Sequence, residues 1–201
     1  MEVFHFVFLI SLVTSNRDGS THNLESNLEE CTRDYSETGG AHFAFTGADE
    51  EIKAPWLAAI GISRPNEQFT VKCSGSILTR RFILSAAHCF IFEAHQPSHV
   101  RVGANNIDSR YAEQREIFDV NLHPDYNRDN KTFYFDIAIV SVKEDIQFSE
   151  RISPICLPDS SSQHPGSGIG ISVQGWGKTE RGGGKDVSEV TVIVRSKESF
   201  S

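Results

Sequence analysis

The chain is 201 residues long, enough for one sizeable domain or two small ones. Hydrophobic residues make up 38% of it and charged residues 23%, which supports a packed core and excludes a wholly disordered chain. The formal net charge is -8 with no basic cluster to offset it, so nucleic acid and anionic membranes are excluded as expected partners.

Residues 1–15 are a short apolar run that ends with Val13 and Ser15 as small residues. The run is too short and interrupted to span a bilayer as a helix. It reads as a signal peptide, although Glu2 stands where such leaders carry Lys or Arg. Residues 16–54 are polar and irregular, include Gly39-Gly40, and read as a leader or pro-segment with little structure of its own.

From Pro55 onward short apolar stretches recur between turn residues. The predicted strands are 56–62, 69–73, 82–85, 99–103, 116–122, 137–142, 170–174 and 189–195. Phe118, Val120 and Leu122 alternate with Asp119 and Asn121, and Val190, Val192 and Val194 alternate likewise. Period-two patterning marks half-buried strands. Pro97, His123-Pro124, Pro158 and Gly182-Gly183-Gly184 separate the stretches. No internal repeat at a fixed period occurs. Many short strands with few helices predict an all-β sandwich or barrel.

The four cysteines are Cys31, Cys73, Cys89 and Cys156. An even number behind a signal peptide predicts two disulfides in an oxidising compartment, with three pairings open. A zinc site is the other reading, but it wants close pairs such as Cys-x-x-Cys, and the chain has none. Asn130-Lys131-Thr132 is a glycosylation sequon in a predicted loop.

Two segments carry candidate chemistry. One runs from Cys73-Ser74-Gly75-Ser76-Ile77-Leu78 through Arg80 and Arg81 to Ser85-Ala86-Ala87-His88-Cys89. The other is Asp136-Ile137-Ala138-Ile139-Val140. Each alone has a bland reading: a structural histidine, and an aspartate that caps a turn.

Together they resemble the trypsin/chymotrypsin family of serine proteases. The resemblance runs from Pro55 to the C-terminus, and its matches come in the family's order. Pro55-Trp56 is similar to the opening of the first strand. Ser76-Ile77-Leu78 with 82–89 resembles the catalytic-histidine block, and His123-Pro124-Asp125-Tyr126 the turn ahead of the aspartate. Asp136-Ile137-Ala138-Ile139-Val140 resembles the catalytic-aspartate block. Ile152-Ser153-Pro154-Ile155-Cys156-Leu157-Pro158 and Gly175-Trp176-Gly177 resemble the inter-barrel connector and the start of the second barrel.

The resemblance implies a double Greek-key β-barrel over residues 55–201, with the first barrel complete and the second truncated. It implies His88 as general base and Asp136 as the carboxylate that orients it. It implies a protein or peptide substrate and a secreted, extracellular setting. No cofactor or metal is expected. It also suggests the pairings Cys73–Cys89 and Cys31–Cys156.

The family's nucleophile sits in a Gly-Asp-Ser-Gly-Gly segment roughly ninety residues beyond the aspartate. Here 65 residues follow Asp136, and no such segment occurs. Gly166-Ser167-Gly168 lies too early and reads as a turn. The expectation is a chain that does not cleave peptides by itself, with strand 189–195 open to aggregation or pairing. The stretch 43–47 matches the activation start but lacks a preceding Lys or Arg. Only Arg33 and Lys53 are basic between Cys31 and Trp56. The alternative is a non-catalytic secreted homologue that acts by binding a protein partner.

Overall fold

An extended chain places alternate side chains on opposite faces, so the period-two stretches become strands with one dry face. The computed structural model describes residue 52 and residues 54–91, 96–127, 134–157, 167–176, 178–179, 182–183 and 185–193. The predicted leader 1–15, Cys31, Asn130 and almost all of 16–54 lie outside the described residues.

Six strands come first: β1 (Leu57–Ile62), β2 (Thr70–Ile77), β3 (Phe82–Ser85), β4 (His99–Val102), β5 (Glu113–Leu122) and β6 (Ala138–Val142). They close into an antiparallel barrel in the order β1-β2-β3-β6-β5-β4. The order departs from a plain meander by setting β6 beside β3 and β4 beside β1. Closure leaves this sheet with no free edge. Each predicted strand has its counterpart, residues 194–195 of the last lying outside the described residues; β2 runs on to Ile77 and β5 begins at Glu113.

β-branched residues fill the barrel, as they fit a pleated surface packed on one side. Ile60, Ile77, Ile83, Val100, Val102, Val140 and Val142 are each no more than 1% exposed. Ile146 and Ile152, from the segment after β6, complete the same cluster. Two glycines make close approach possible. A Cβ on Gly61 would lie 2.3 Å from the Thr70 carbonyl oxygen, and one on Gly75 would lie 2.7 Å from both Ile83 Cγ2 and the Leu84 carbonyl oxygen. Neither position has room for a side chain.

β1 is dry on both faces. Ala58 and Ile60 join the barrel interior, while Leu57 and Ala59 join a second cluster with Ala54, Phe69, Ile107, Trp176 and Val187. That cluster fastens the C-terminal part to the outside of the barrel. Trp176 donates its indole N–H to the Asn105 carbonyl at 2.9 Å and is 8% exposed. The Val187 N–H bonds Asn105 O, and the Ile107 N–H bonds Lys185 O, each at 2.9 Å.

The C-terminal part consists of β7 (Gly170–Gly175), β8 (Lys178–Thr179), β9 (Gly182–Gly183) and β10 (Ser188–Ile193). β7 pairs with β10, and β8 with β9, as separate two-stranded ribbons. Gly182 and Gly183, expected as a separator, pair with Thr179 and Lys178 instead. A two-residue strand makes little demand on side-chain propensity, so glycine is accepted there.

One alternation is broken. The ladder between β5 and β6 shifts register between Ile117 and Asp119, which places a bulge at Phe118. Ile117 and Val120 pack against the barrel core, whereas Phe118 is 56% exposed. An inserted residue resets which parity faces inward.

Candidate active site

Strand pairing creates the site. β3 and β6 run antiparallel with Ser85 opposite Ala138. The segment leaving β3 therefore lies against the segment entering β6. The first folds into a 3-10 turn, Ala87–Phe90, which carries His88; Ala86 ahead of it is still extended. The second carries Asp136, 48 residues away in sequence.

Asp136 holds His88 at two points. Its Oδ1 accepts the His88 backbone N–H at 2.8 Å, and its Oδ2 lies 2.6 Å from His88 Nδ1. An ionised carboxylate only accepts, so Nδ1 carries the proton and Nε2 keeps its lone pair. The His88 side chain is 48% exposed and that of Asp136 is 20% exposed, so the carboxylate is the sheltered partner and the imidazole the accessible one.

The aspartate is itself braced. The Ile137 N–H donates to the Phe135 carbonyl at 2.7 Å, closing a three-residue turn around Asp136. Phe135 sits at φ 59°, a left-handed conformation uncommon for a bulky residue. Its ring stacks on His123, with centroids 4.7 Å apart. His123 is buried; its backbone N–H donates to the Ile137 carbonyl at 2.9 Å. Its Nδ1 accepts the Asp125 N–H at 3.0 Å, which puts the proton of the neutral ring on Nε2. In the sequence, 123–126 stands out only as a turn, and nothing there couples it to Phe135. That coupling needs Leu122 set opposite Ala138 across β5 and β6.

On the other side of His88, Cys73 of β2 is disulfide-bonded to Cys89, 16 residues on. The bond ties the 3-10 turn to the barrel wall. The Ser85 hydroxyl adds a bond to the Ser74 carbonyl at 3.0 Å. Cys89 Sγ lies 3.7 Å from His88 Nε2. Cys156 is also disulfide-bonded, and its suggested partner Cys31 lies outside the described residues. Ser167 falls in a turn ahead of β7. Among the described residues, no serine hydroxyl is hydrogen-bonded to His88 Nε2.

This arrangement can accept a proton at Nε2 and stabilise the imidazolium that results. A carboxylate already in contact needs no rearrangement when charge appears on the ring.

Comparison with known proteins follows the same lines. A family model described as Trypsin matches residues 46–201. The CLIP domain-containing serine protease B4 of Anopheles gambiae is 36% identical over 140 residues, covering 63% of this chain and 39% of that protein. Serine protease Hayan of Drosophila melanogaster is 41% identical over 125 residues, covering 61% of this chain and 19% of that protein. The chain thus spans well under half the length of either relative. Among solved structures, that of GrC superposes with a TM-score of 0.61 at 26% identity, covering 74% of this chain and 63% of that one.

Proposed function

The chain belongs to the trypsin family, and on that premise we propose that it is the base-bearing part of a secreted serine endopeptidase acting on peptide bonds. The carrying observation is the two-point grip of Asp136 on His88, which leaves Nε2 free to take a proton. In the proposed cycle a serine hydroxyl gives its proton to Nε2 as its oxygen attacks the scissile carbonyl. The imidazolium then gives that proton to the leaving amine, with Asp136 balancing the charge throughout. His88 is the catalytic base and Asp136 its positioning carboxylate. These 201 residues hold no Gly-Asp-Ser-Gly-Gly segment to supply that serine and its oxyanion donors, and on this reading the polypeptide alone does not turn over. Secretion is supported by the apolar leader and by the cysteines held as disulfides.

A fluorophosphonate probe leaves the 201-residue polypeptide unlabelled, and labelling at any serine overturns that reading. In a longer transcript product with an in-frame Gly-Asp-Ser-Gly-Gly, His88→Ala lowers kcat by about 10⁴-fold or more. A fall below tenfold removes His88 from the role.

A second reading is a non-catalytic secreted homologue that acts by binding a protein. It is favoured by the lack of Lys or Arg from 34 to 52, where family zymogens are cut. Capture of a stable partner from the source fluid by the purified chain, with no hydrolysis by any longer form, selects it over the first.

A further inference from the structure

The sequence offers no close cysteine pair for a metal, but the fold assembles a three-ligand set that spacing hides. Cys73 Sγ, Cys89 Sγ and a ring nitrogen of His88 all lie within 4.8 Å of one another. We propose that reduction of the Cys73–Cys89 disulfide converts this corner of the barrel into a zinc-binding site.

Ligand geometry is the first support. Tetrahedral zinc with Zn–S of about 2.3 Å and Zn–N of about 2.0 Å needs neighbouring ligand atoms roughly 3.5–3.8 Å apart. Cys89 Sγ and His88 Nε2 are already 3.7 Å apart. The bonded sulfurs are too close to share a metal, and cleaving their bond lets them separate by side-chain rotation. The cysteine Cα atoms stand 6.2 Å apart, so the backbone need not move far.

The outer partner is an independent support. A metal-bound histidine characteristically donates its other ring N–H to a carboxylate, which fixes the tautomer and raises the basicity of the ligating nitrogen. His88 has that arrangement, with Nδ1 held by Asp136 Oδ2 at 2.6 Å. Half of the imidazole is exposed, which leaves water a route to the fourth position.

The chemistry balances. A dithiol reductant supplies two electrons and two protons, and the S–S bond becomes two thiols as the reductant becomes its own disulfide. A phosphine does the same and leaves as its oxide, with oxygen from water. Zn²⁺ then displaces one proton from each thiol into solvent and keeps its oxidation state. Two thiolates and one dication leave the neutral His88 ligand set with no net charge. While zinc is bound, the Nε2 lone pair is committed to it and cannot act as a base. The metal site itself stands whether or not the protease reading does.

The test uses the full 201-residue chain carrying Cys31→Ser and Cys156→Ser, so that Cys73 and Cys89 are its only cysteines. After phosphine reduction under argon it is titrated with Co²⁺ and then Zn²⁺. The expected result is one metal per chain, with a sulfur-to-cobalt charge-transfer band that zinc abolishes. His88→Ala and Cys89→Ser remove the band, and Asp136→Asn weakens the affinity about 10–100-fold. An undiminished band in His88→Ala overturns the proposal, as does an equal band from the oxidised chain. Circular dichroism covers the case in which the reduced chain unfolds. Zinc is expected to restore the β-sheet signal, and a reduced chain that stays unfolded with zinc present also overturns the site.

Discussion

The barrel and the β7–β10 ribbon are built from the same kinds of side chain, yet one is dry and the other wet. Ile83 and Val140 face each other across β3 and β6 and are fully buried. Ile171 and Val192 face each other across β7 and β10 in the same kind of antiparallel pair, and they are 41% and 45% exposed. Val173 on the same face is 54% exposed. Pairing alone does not bury an apolar face. Closure does, because each wall of the barrel covers the one opposite. The proton-accepting pair sits on the closed part, where the 3-10 turn and the three-residue turn rest on walls that cannot splay.

The sharpest test of that contrast is one substitution made in both places. Ile83→Ala is expected to cost about 2–5 kcal/mol in urea denaturation, because it leaves a cavity in a closed core. Ile171→Ala is expected to stay within about 0.5 kcal/mol. Equal losses would mean that the ribbon is packed in solution and the contrast is wrong.

A smaller effect probes the joint between the two parts. Trp176→Phe keeps most of the ring but leaves the Asn105 carbonyl without its indole donor. The carbonyl keeps the Val187 N–H, so the expected cost is about 0.5–1.5 kcal/mol, the net worth of one hydrogen bond. Hydrogen exchange should quicken at Val187, whose N–H bonds that same carbonyl, and stay slow in β3 and β6. Uniform quickening across the barrel would show that the joint also holds the barrel shut.

The smallest expected effect is on the barrel's outer surface. Glu116 on β5 accepts a hydrogen bond from Lys143 Nζ at 2.5 Å, which holds its carboxyl below the ordinary value of 4.5. A lowered folded-state value stabilises the fold above the unfolded carboxyl's titration and is lost as pH falls through the folded one. Lys143→Met should therefore lower stability slightly above 4.5, neutrality included, and leave it unchanged once pH has fallen below the folded carboxyl's titration. Both groups are about half exposed, so added salt should erase the difference. A change confined to acid pH would assign the effect to another group.

Much of the fold is legible in the chain itself. Alternation and turn residues mark the strands, and the motifs around Cys73, His88 and Asp136 mark the candidate site. Local pattern fails where a neighbour decides. Phe118 belongs to a clean alternation, yet the bulge turns it to solvent. Phe135 has no pattern of its own, and its role follows from stacking on His123.

The sequence by itself determined the all-β class, the strand segments and the residue types able to accept a proton, because these depend on side-chain chemistry and on a period of two. Only the tertiary structure decided that Asp136 grips His88 across 48 residues, that Cys73 and Cys89 sit beside the same imidazole, and that one apolar ribbon face stays wet. Each of these is a distance between segments far apart in the chain. Such distances are set by register and closure of the sheet, and no local stretch encodes them.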